Sequence, residues 1–343
     1  MEGTRLGQLI MLTMADMFCG AGGFSHGAER SGQVRVVYGV NHNRRAVETF
    51  TANMIHARGI NSKIENSHPA ECRVRINILA GSPECTRHSN AYGDKPTNDN
   101  ERAGGWELLK WIEWHRPDWV VFENVPAYRN WGPVGKNGRP LKSGKGKIFD
   151  QWIRAIAAHD YSVEFEILNA ADYGAWTSRP RLFVIGRRGK RKPVWPEKTH
   201  TPETGGRPPG MGLLPYCSVR SVIDWNLPIP TITGRERPLC ENTMRRIQVG
   251  RATYGDKPFL VLYYGTSTVS SIDAPCPTIT TRDRFALVVG DGYRLLTVDE
   301  LKRIQGFSRD YKFFGTETEI KTQIGNSVSP VQACAVFRAI AAV

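Results

Sequence analysis

The stretch LAGSPECTRHSNA, residues 79 to 91, ends an apolar run in a Gly-Ser-Pro turn and presents Cys85 with threonine, arginine, histidine and serine close behind it. A free cysteine is most often a small buried apolar group, but its thiolate is a strong nucleophile, and Arg87 and His88 are cations of the kind that favour the ionised form. Further on, FENV closes the most apolar run of the chain and leaves Glu123 at its end. A carboxylate there is costly unless solvated, paired or protonated, which makes it a candidate proton donor. In SRPRLFVIGRR, Arg179 and Arg181 lie two apart in a strand-like segment, so alternation predicts both on one face. Paired guanidinium groups can hold an oxyanion or a phosphate. The structural alternatives are a glutamate that caps a helix and arginines that decorate an edge strand. A nucleophile, an acid and cations are nonetheless the groups that covalent catalysis by a thiol requires.

Elements must position these groups. The run DMFCGAGGFSHGAERSG, residues 16 to 32, reads as strand, glycine-packed turn and helix, an arrangement that aims backbone N–H groups at a nucleotide-like ligand. Its spacing is not the dinucleotide GxGxxG, and Phe18 is either a stacking surface or core. Strand-like runs (LIMLTMADMF, VRVVYGV, RINILAG, DWVVFENV, YSVEFEIL, RLFVIGR) alternate with helical patterns through the first 190 residues, which predicts a parallel sheet with crossover helices. GGWELLKWIEWHRP and IFDQWIRAIAAHD are two such helices, with their tryptophans expected in the core. Between them, residues 131 to 147 carry five Lys or Arg, many glycines and no acid, which predicts a mobile basic loop, solvated or in contact with phosphate.

The run RRGKRK at 187 to 192, followed by five prolines between 193 and 210, marks a domain boundary. Beyond it come short β-rich segments (FLVLYYG, PTITT, FALVV) and many arginines, then Thr297 and Glu300 at capping-box spacing, then a last helix, SPVQACAVFRAIAAV, which returns to the first domain.

The 343 residues carry 46 Lys and Arg against 33 Asp and Glu, a net charge of +13, and 40% are hydrophobic. Such a field attracts a polyanion, nucleic acid first among candidates. Seven scattered cysteines without a CxxC pair indicate neither a disulfide framework nor a structural zinc site, and imply a reducing cytoplasm. The short apolar stretch from Leu9 to Met14 reads as a strand, not a signal peptide or membrane span.

In this order and at these intervals the segments resemble the cytosine-C5 DNA methyltransferases, with DMFCGAGG, GSPEC, FENV, DYGAWTSRPRLFVIG, APCPTITTRDR and QIGNSVSP as the six matching motifs. The Ser-Pro-Glu-Cys-Thr loop is similar to that of the family's compact, phage-type branch. The resemblance implies an α/β protein: a doubly wound, Rossmann-like S-adenosylmethionine-dependent methyltransferase domain at 1–192, a small β-rich target-recognition domain at 193–290, and a C-terminal segment, 291–343, that returns to the catalytic domain. It further implies that Cys85 adds to C6 of a cytosine flipped out of double-stranded DNA. Glu123 engages N3 and the exocyclic amine, and Arg181 and Arg179 hold O2 and the carboxylate. Phe18, Gly20, Ala21, Gly22, Gly23, Asn41, His42, Asn66, Pro83, Asn326 and Ser327 are then the donor-binding candidates. Arg87, Ser89, Arg235, Arg237, Arg245, Arg246, Arg251 and Arg282 are the DNA-binding ones, arginine being suited to guanine in the major groove. The implied protein is a cytoplasmic monomer in a bacterial or phage-infected cell, without metal or membrane, serving restriction-modification or phage DNA modification.

Four positions depart from the family pattern. Glu84 stands where proline is usual, Asn41 falls where a ribose-binding acid is expected, Asn66 or Glu65 replaces an aspartate, and Thr177 replaces a glutamine. The rival readings are an RNA-directed enzyme of the same fold, a cytosine-C5 transferase that uses a modified donor, and an inactive DNA-binding homologue.

Overall fold

The computed structural model describes residues 11–84, 104–137, 139–202, 212–265, 268–282 and 284–343. Cys85, Arg87 and Ser89 therefore lie outside the described residues. The chain divides into two compact units. Unit 1 is Met1–Leu168, Arg181–Glu197 and Ala333–Val343, and unit 2 is Asn169–Pro180 and Lys198–Gln332. Residues 291–332, which the sequence reading groups with the returning segment, belong to unit 2, because their apolar positions, Leu301, Ile304 and Ile324 among them, pack with Leu260, Phe285 and Leu287.

Unit 1 is built on a seven-stranded sheet. Its strands in chain order are β1 (Leu12–Met17), β2 (Val34–Asn41), β3 (Arg58–Asn61), β4 (Ile78–Gly81), β5 (Trp119–Asn124), β6 (Tyr161–Asn169) and, after a two-residue β7 (Thr177–Ser178) that pairs elsewhere, β8 (Pro180–Arg188). The spatial order is β3-β2-β1-β4-β5-β8-β6, with β1 to β5 mutually parallel where they pair and β8 antiparallel to β5. Strand order reverses between β1 and β4, and such a switch point opens a crevice at the carboxyl ends of the strands. Four helices cross over: α1 (Gly23–Arg30), α2 (Arg44–Asn53), α3 (Leu108–His115) and α4 (Lys147–Ala157). The Asn43 side chain accepts from the Ala46 N–H to start α2, and α3 ends at Arg116, whose left-handed φ of 44° precedes Pro117.

Trp111, Phe122, Tyr128, Phe149 and Trp152 are buried together between the sheet and α3 and α4. Trp114 is not with them. It is 58% exposed and meets His68 edge-on, because it falls on the outer face of α3. Residues 131–137 and 139–147 also depart from expectation, forming a tied hairpin in which Val134 bridges Pro140, the Gly135 N–H donates to the Arg139 carbonyl and the Leu141 N–H to the Pro133 carbonyl.

Unit 2 contains β9 (His200–Thr201), β10 (Leu214–Pro215), α5 (Glu241–Tyr254), β11 (Phe259–Leu262), β12 (Val269–Ser271), β13 (Cys276–Pro277), β14 (Phe285–Val289), β15 (Gly292–Leu295), α6 (Val298–Gln305) and α7 (Glu317–Asn326). The order β12-β11-β14-β15 makes an antiparallel sheet, and β13 pairs with β7. The capping box that starts α6 is formed by Thr297 and Glu300, and the same buried carboxylate is held by Arg294 at 2.7 Å. The last helix, α8 (Pro330–Ala341), crosses the unit boundary, and within unit 1 its Phe337 ring lies 5.1 Å from Phe24. No helix of the described residues is long and apolar enough to cross a membrane.

Candidate active site

At the carboxyl end of β1 the backbone turns through three left-handed residues, Phe18 (φ 63°), Gly20 (φ 53°) and Gly22 (φ 84°), of which Gly22 is the N-cap of α1. The turn delivers the first N–H groups of α1 to the edge of the sheet. Asp16, on the strand itself, is spent internally: it accepts from the Ser25 hydroxyl at 2.6 Å and from the Ser25 backbone N–H. The neighbouring end of β2 is held by Asn61, whose amide donates to the carbonyls of Asn41 (3.2 Å) and His42 (2.9 Å). The Asn41 side-chain oxygen accepts from the Asn43 N–H at 2.9 Å. Asn66 is exposed at the end of a 3-10 turn.

The third edge is the loop after β4. A side chain at Gly81 would sit 3.0 Å from the Met17 carbonyl, so glycine lets the ends of β1 and β4 close together. The Pro83 carbonyl accepts from the Asn124 amide at 3.0 Å, which ties this loop to the end of β5. Glu84, next in line, points its carboxylate at His42 Nδ1, 3.3 Å away, with both side chains about half exposed. On β5, Glu123 is buried and its Oε1 lies 3.1 Å from Arg181 Nε on β8, a pair whose side chains are only 8% and 11% exposed. Antiparallel pairing of β5 with β8, Glu123 opposite Phe183, sets this meeting.

Arg179 goes elsewhere. Its guanidinium is buried in unit 2 and donates to the carbonyls of Ile279 (2.9 Å), Gly325 (2.8 Å) and Ser327 (2.9 Å). The expectation that Arg179 and Arg181 share one face fails because the strand is broken between them. β7 ends at Ser178 and pairs with β13, whereas β8 starts at Pro180 and pairs with β5. Ser327 donates from its hydroxyl to the Gln323 carbonyl, while the Asn326 side chain is exposed. A side chain at Gly325 would meet the Thr280 carbonyl at 2.4 Å, so α7 and the PTITT segment touch backbone to backbone there.

Among the DNA-binding candidates, Arg235 is used as a brace: it donates to the carbonyls of Thr231 and Tyr293 and lies over the Tyr293 ring. Arg246 bonds the Asn242 carbonyl and stacks over Tyr263, Arg245 meets Glu241, and Arg251 meets Gly290 and Asp291. Arg237 and Arg282 are exposed, with no side-chain partner among the described residues.

The model of the C-5 cytosine-specific DNA methylase family matches residues 12–342. The chain belongs to that family. It is a DNA cytosine-5 methyltransferase with S-adenosylmethionine as methyl donor. The methyltransferase is 26% identical to the type II methyltransferase M.AplI of Arthrospira platensis, over 96% of this chain and 85% of that one. It is likewise 26% identical to type II methyltransferase M1.HphI of Haemophilus parahaemolyticus, over 96% and 86%. In fold it is similar to a DNA modification methyltransferase encoded within an E. coli prophage (TM-score 0.66, 19% identity, 96% and 98% covered). It is also similar in fold to the Dnmt2 methyltransferase of S. pombe (TM-score 0.63, 13% identity, 96% and 98% covered).

The residues at the carboxyl edge fit this donor. The left-handed turn before α1 carries N–H groups and the amide-held end of β2 carries neutral polar side chains, groups of the kind a nucleoside can bond, while Asp16 is turned inward to Ser25. Three features of the methyltransferase escaped sequence reasoning: the Asn124 tie to Pro83, the Glu84–His42 contact and the inward role of Asp16. Only the first had a signal, the asparagine inside FENV.

Asp16 has a measurable consequence. Burial pushes its carboxyl up from 3.8 to about 7, against the opposing bonds from Ser25. Between those values the unfolded chain has released this proton and the fold has not, so stability falls as pH rises through that window, by roughly 4 kcal/mol in all. Urea unfolding of the wild type and Asp16→Asn at pH 4.5 and pH 8 checks this. The variant is expected to lose most of that pH-dependent difference, and equal pH dependence in both proteins would exclude it.

Proposed function

We propose that the methyltransferase attacks C6 of a cytosine turned out of double-stranded DNA with the Cys85 thiolate, while Glu123 and Arg181 hold the base. The observation that carries this reading is the buried Glu123–Arg181 pair at the end of β5, next to the loop that leads from Pro83 to Cys85 and is tethered to Asn124. Cytosine C5 is a poor nucleophile until something adds to C6. Formation of the Sγ–C6 bond moves the C5–C6 π electrons to C5 as Glu123 gives a proton to N3. C5 then takes the methyl group that bound S-adenosylmethionine supplies. Loss of the C5 proton to a base re-forms the double bond and expels Cys85 as thiolate, and N3 returns its proton to Glu123. Extrusion of the base costs a few kcal/mol, recovered through phosphate and base-edge contacts.

In this reading Phe18, Gly20, Ala21, Gly22, Gly23, Asn41, His42, Asn66 and Pro83 hold the donor, with Asn326 and Ser327 contributed by the C-terminal region. Arg179 acts by positioning, since both terminal nitrogens of its guanidinium bond carbonyls, of Ile279, Gly325 and Ser327. Residues 1–192 supply the catalytic domain, 193–290 recognise the target with Arg237 and Arg282 the readiest to meet DNA, and of 291–343 the final stretch, Ala333–Val343, returns to unit 1. The enzyme acts as a monomer in the cytoplasm of a bacterial or phage-infected cell, in restriction-modification or phage DNA modification.

The test is nucleoside mass spectrometry of treated duplex DNA, together with gel trapping on a 5-fluorocytosine duplex. 5-Methylcytosine in the first and a covalent complex in the second are expected, and both should vanish in Cys85→Ser. Methyl transfer by that variant would remove the thiol from the mechanism.

A further inference from the structure

We infer that the hairpin at 131–147 is a phosphate-binding arm, which grips the DNA backbone outside the recognition region. Lys136, Arg139, Lys142, Lys145 and Lys147 are all exposed on it, and the chain has no acid from Val125 to Phe149. None of the five has a carboxylate partner among the described residues. Unneutralised cations at this density are costly to crowd unless they face a polyanion.

The arm is built to hold its shape. Its root is the buried Trp131, packed against Tyr128 and Trp106, and the Trp131 carbonyl accepts from the N–H groups of Ile148 and Phe149. The two sides close at glycines: a side chain at Gly132 would overlap the Gly144 carbonyl at 2.1 Å. A pre-ordered arm loses little entropy on binding.

Its place identifies the partner. The arm leaves the sheet seven residues after Asn124, at the same carboxyl edge as Glu123 and Pro83, where the DNA substrate of this enzyme must come. Lysines dominate it, and an ammonium acts as a point charge on phosphate, whereas an arginine fork reads base edges. The arm therefore contributes affinity without sequence preference.

The test compares Lys136→Gln/Arg139→Gln/Lys142→Gln with Arg73→Gln/Lys190→Gln/Arg191→Gln. The second triple removes equal charge from exposed positions at the opposite edge of the sheet, before β4 and after β8. Dissociation constants for a mixed-sequence duplex are measured against salt concentration, and relative methylation is measured at several sites of one long duplex. The arm triple is expected to lower the slope of log K against log salt by up to about 2.7, about 0.9 for each lost phosphate contact. It should leave the ranking of sites unchanged, while the control triple keeps the wild-type slope. A wild-type slope in the arm triple, an equal loss in the control, or an altered ranking of sites would each overturn the inference. Because 5-methylcytosine formation is measured in the same reactions, failure of the arm is distinguishable from failure of the enzyme's activity on DNA.

Discussion

Glu123→Gln is expected to slow methyl transfer by about 10² to 10⁴-fold, the usual contribution of a positioned acid or base. Glutamine keeps the shape and an oxygen for Arg181 Nε, now 3.1 Å from the carboxylate, but it has no acidic proton to give to N3 and removes the negative charge from a nearly buried ion pair. Arg181→Ala is the harsher change. It takes the guanidinium away from Glu123 in a site where both side chains are about nine-tenths covered, and breaking a buried pair in this way costs roughly 3 to 5 kcal/mol. Single-turnover methyl transfer at saturating donor, at a temperature where all three proteins are folded by circular dichroism, separates the two effects. A Glu123→Gln enzyme within threefold of wild type would show that the carboxylate only anchors Arg181.

The second large effect concerns stability. Arg179→Met is expected to destabilise the protein by about 3 to 5 kcal/mol, because it takes the charged donors from the carbonyls of Ile279 and Gly325 and leaves that of Ser327 with the Gln305 amide in their place. Arg179→Lys should restore little, since one ammonium cannot reproduce the fork that reaches the PTITT segment and the end of α7 together. Urea unfolding followed by tryptophan fluorescence measures both. An unfolding midpoint unchanged in Arg179→Met, with activity lost, would return this arginine to direct contact with the base.

These expectations show how much of the molecule was legible in the chain. The strand, turn and helix of DMFCGAGGFSH, the strand ending in Glu123, the helix around Trp111 and the Thr297–Glu300 capping box all rest on neighbours a few residues apart, so local chemistry dictates them. Family membership was legible for the same reason: each motif is a short run whose residue types its chemistry demands.

The destinations of long side chains were not legible. Arg179 and Arg181 are two residues apart in sequence, yet one bonds carbonyls 100 to 148 residues away and the other meets Glu123, because a break in strand pairing at Pro180 sends them separate ways. Glu84, placed beside Cys85 by sequence, faces His42 at the end of β2. The basic run at 131–147 read as loose because lysine and glycine carry no pattern of burial. Trp131 and the Gly132–Gly144 closure give it a shape that only contacts across the turn could supply. The sequence by itself determined which chemical groups the methyltransferase owns and which strand ends carry them. Tertiary structure decided which charges meet and which are left facing solvent, since those outcomes depend on pairings between residues far apart in the chain.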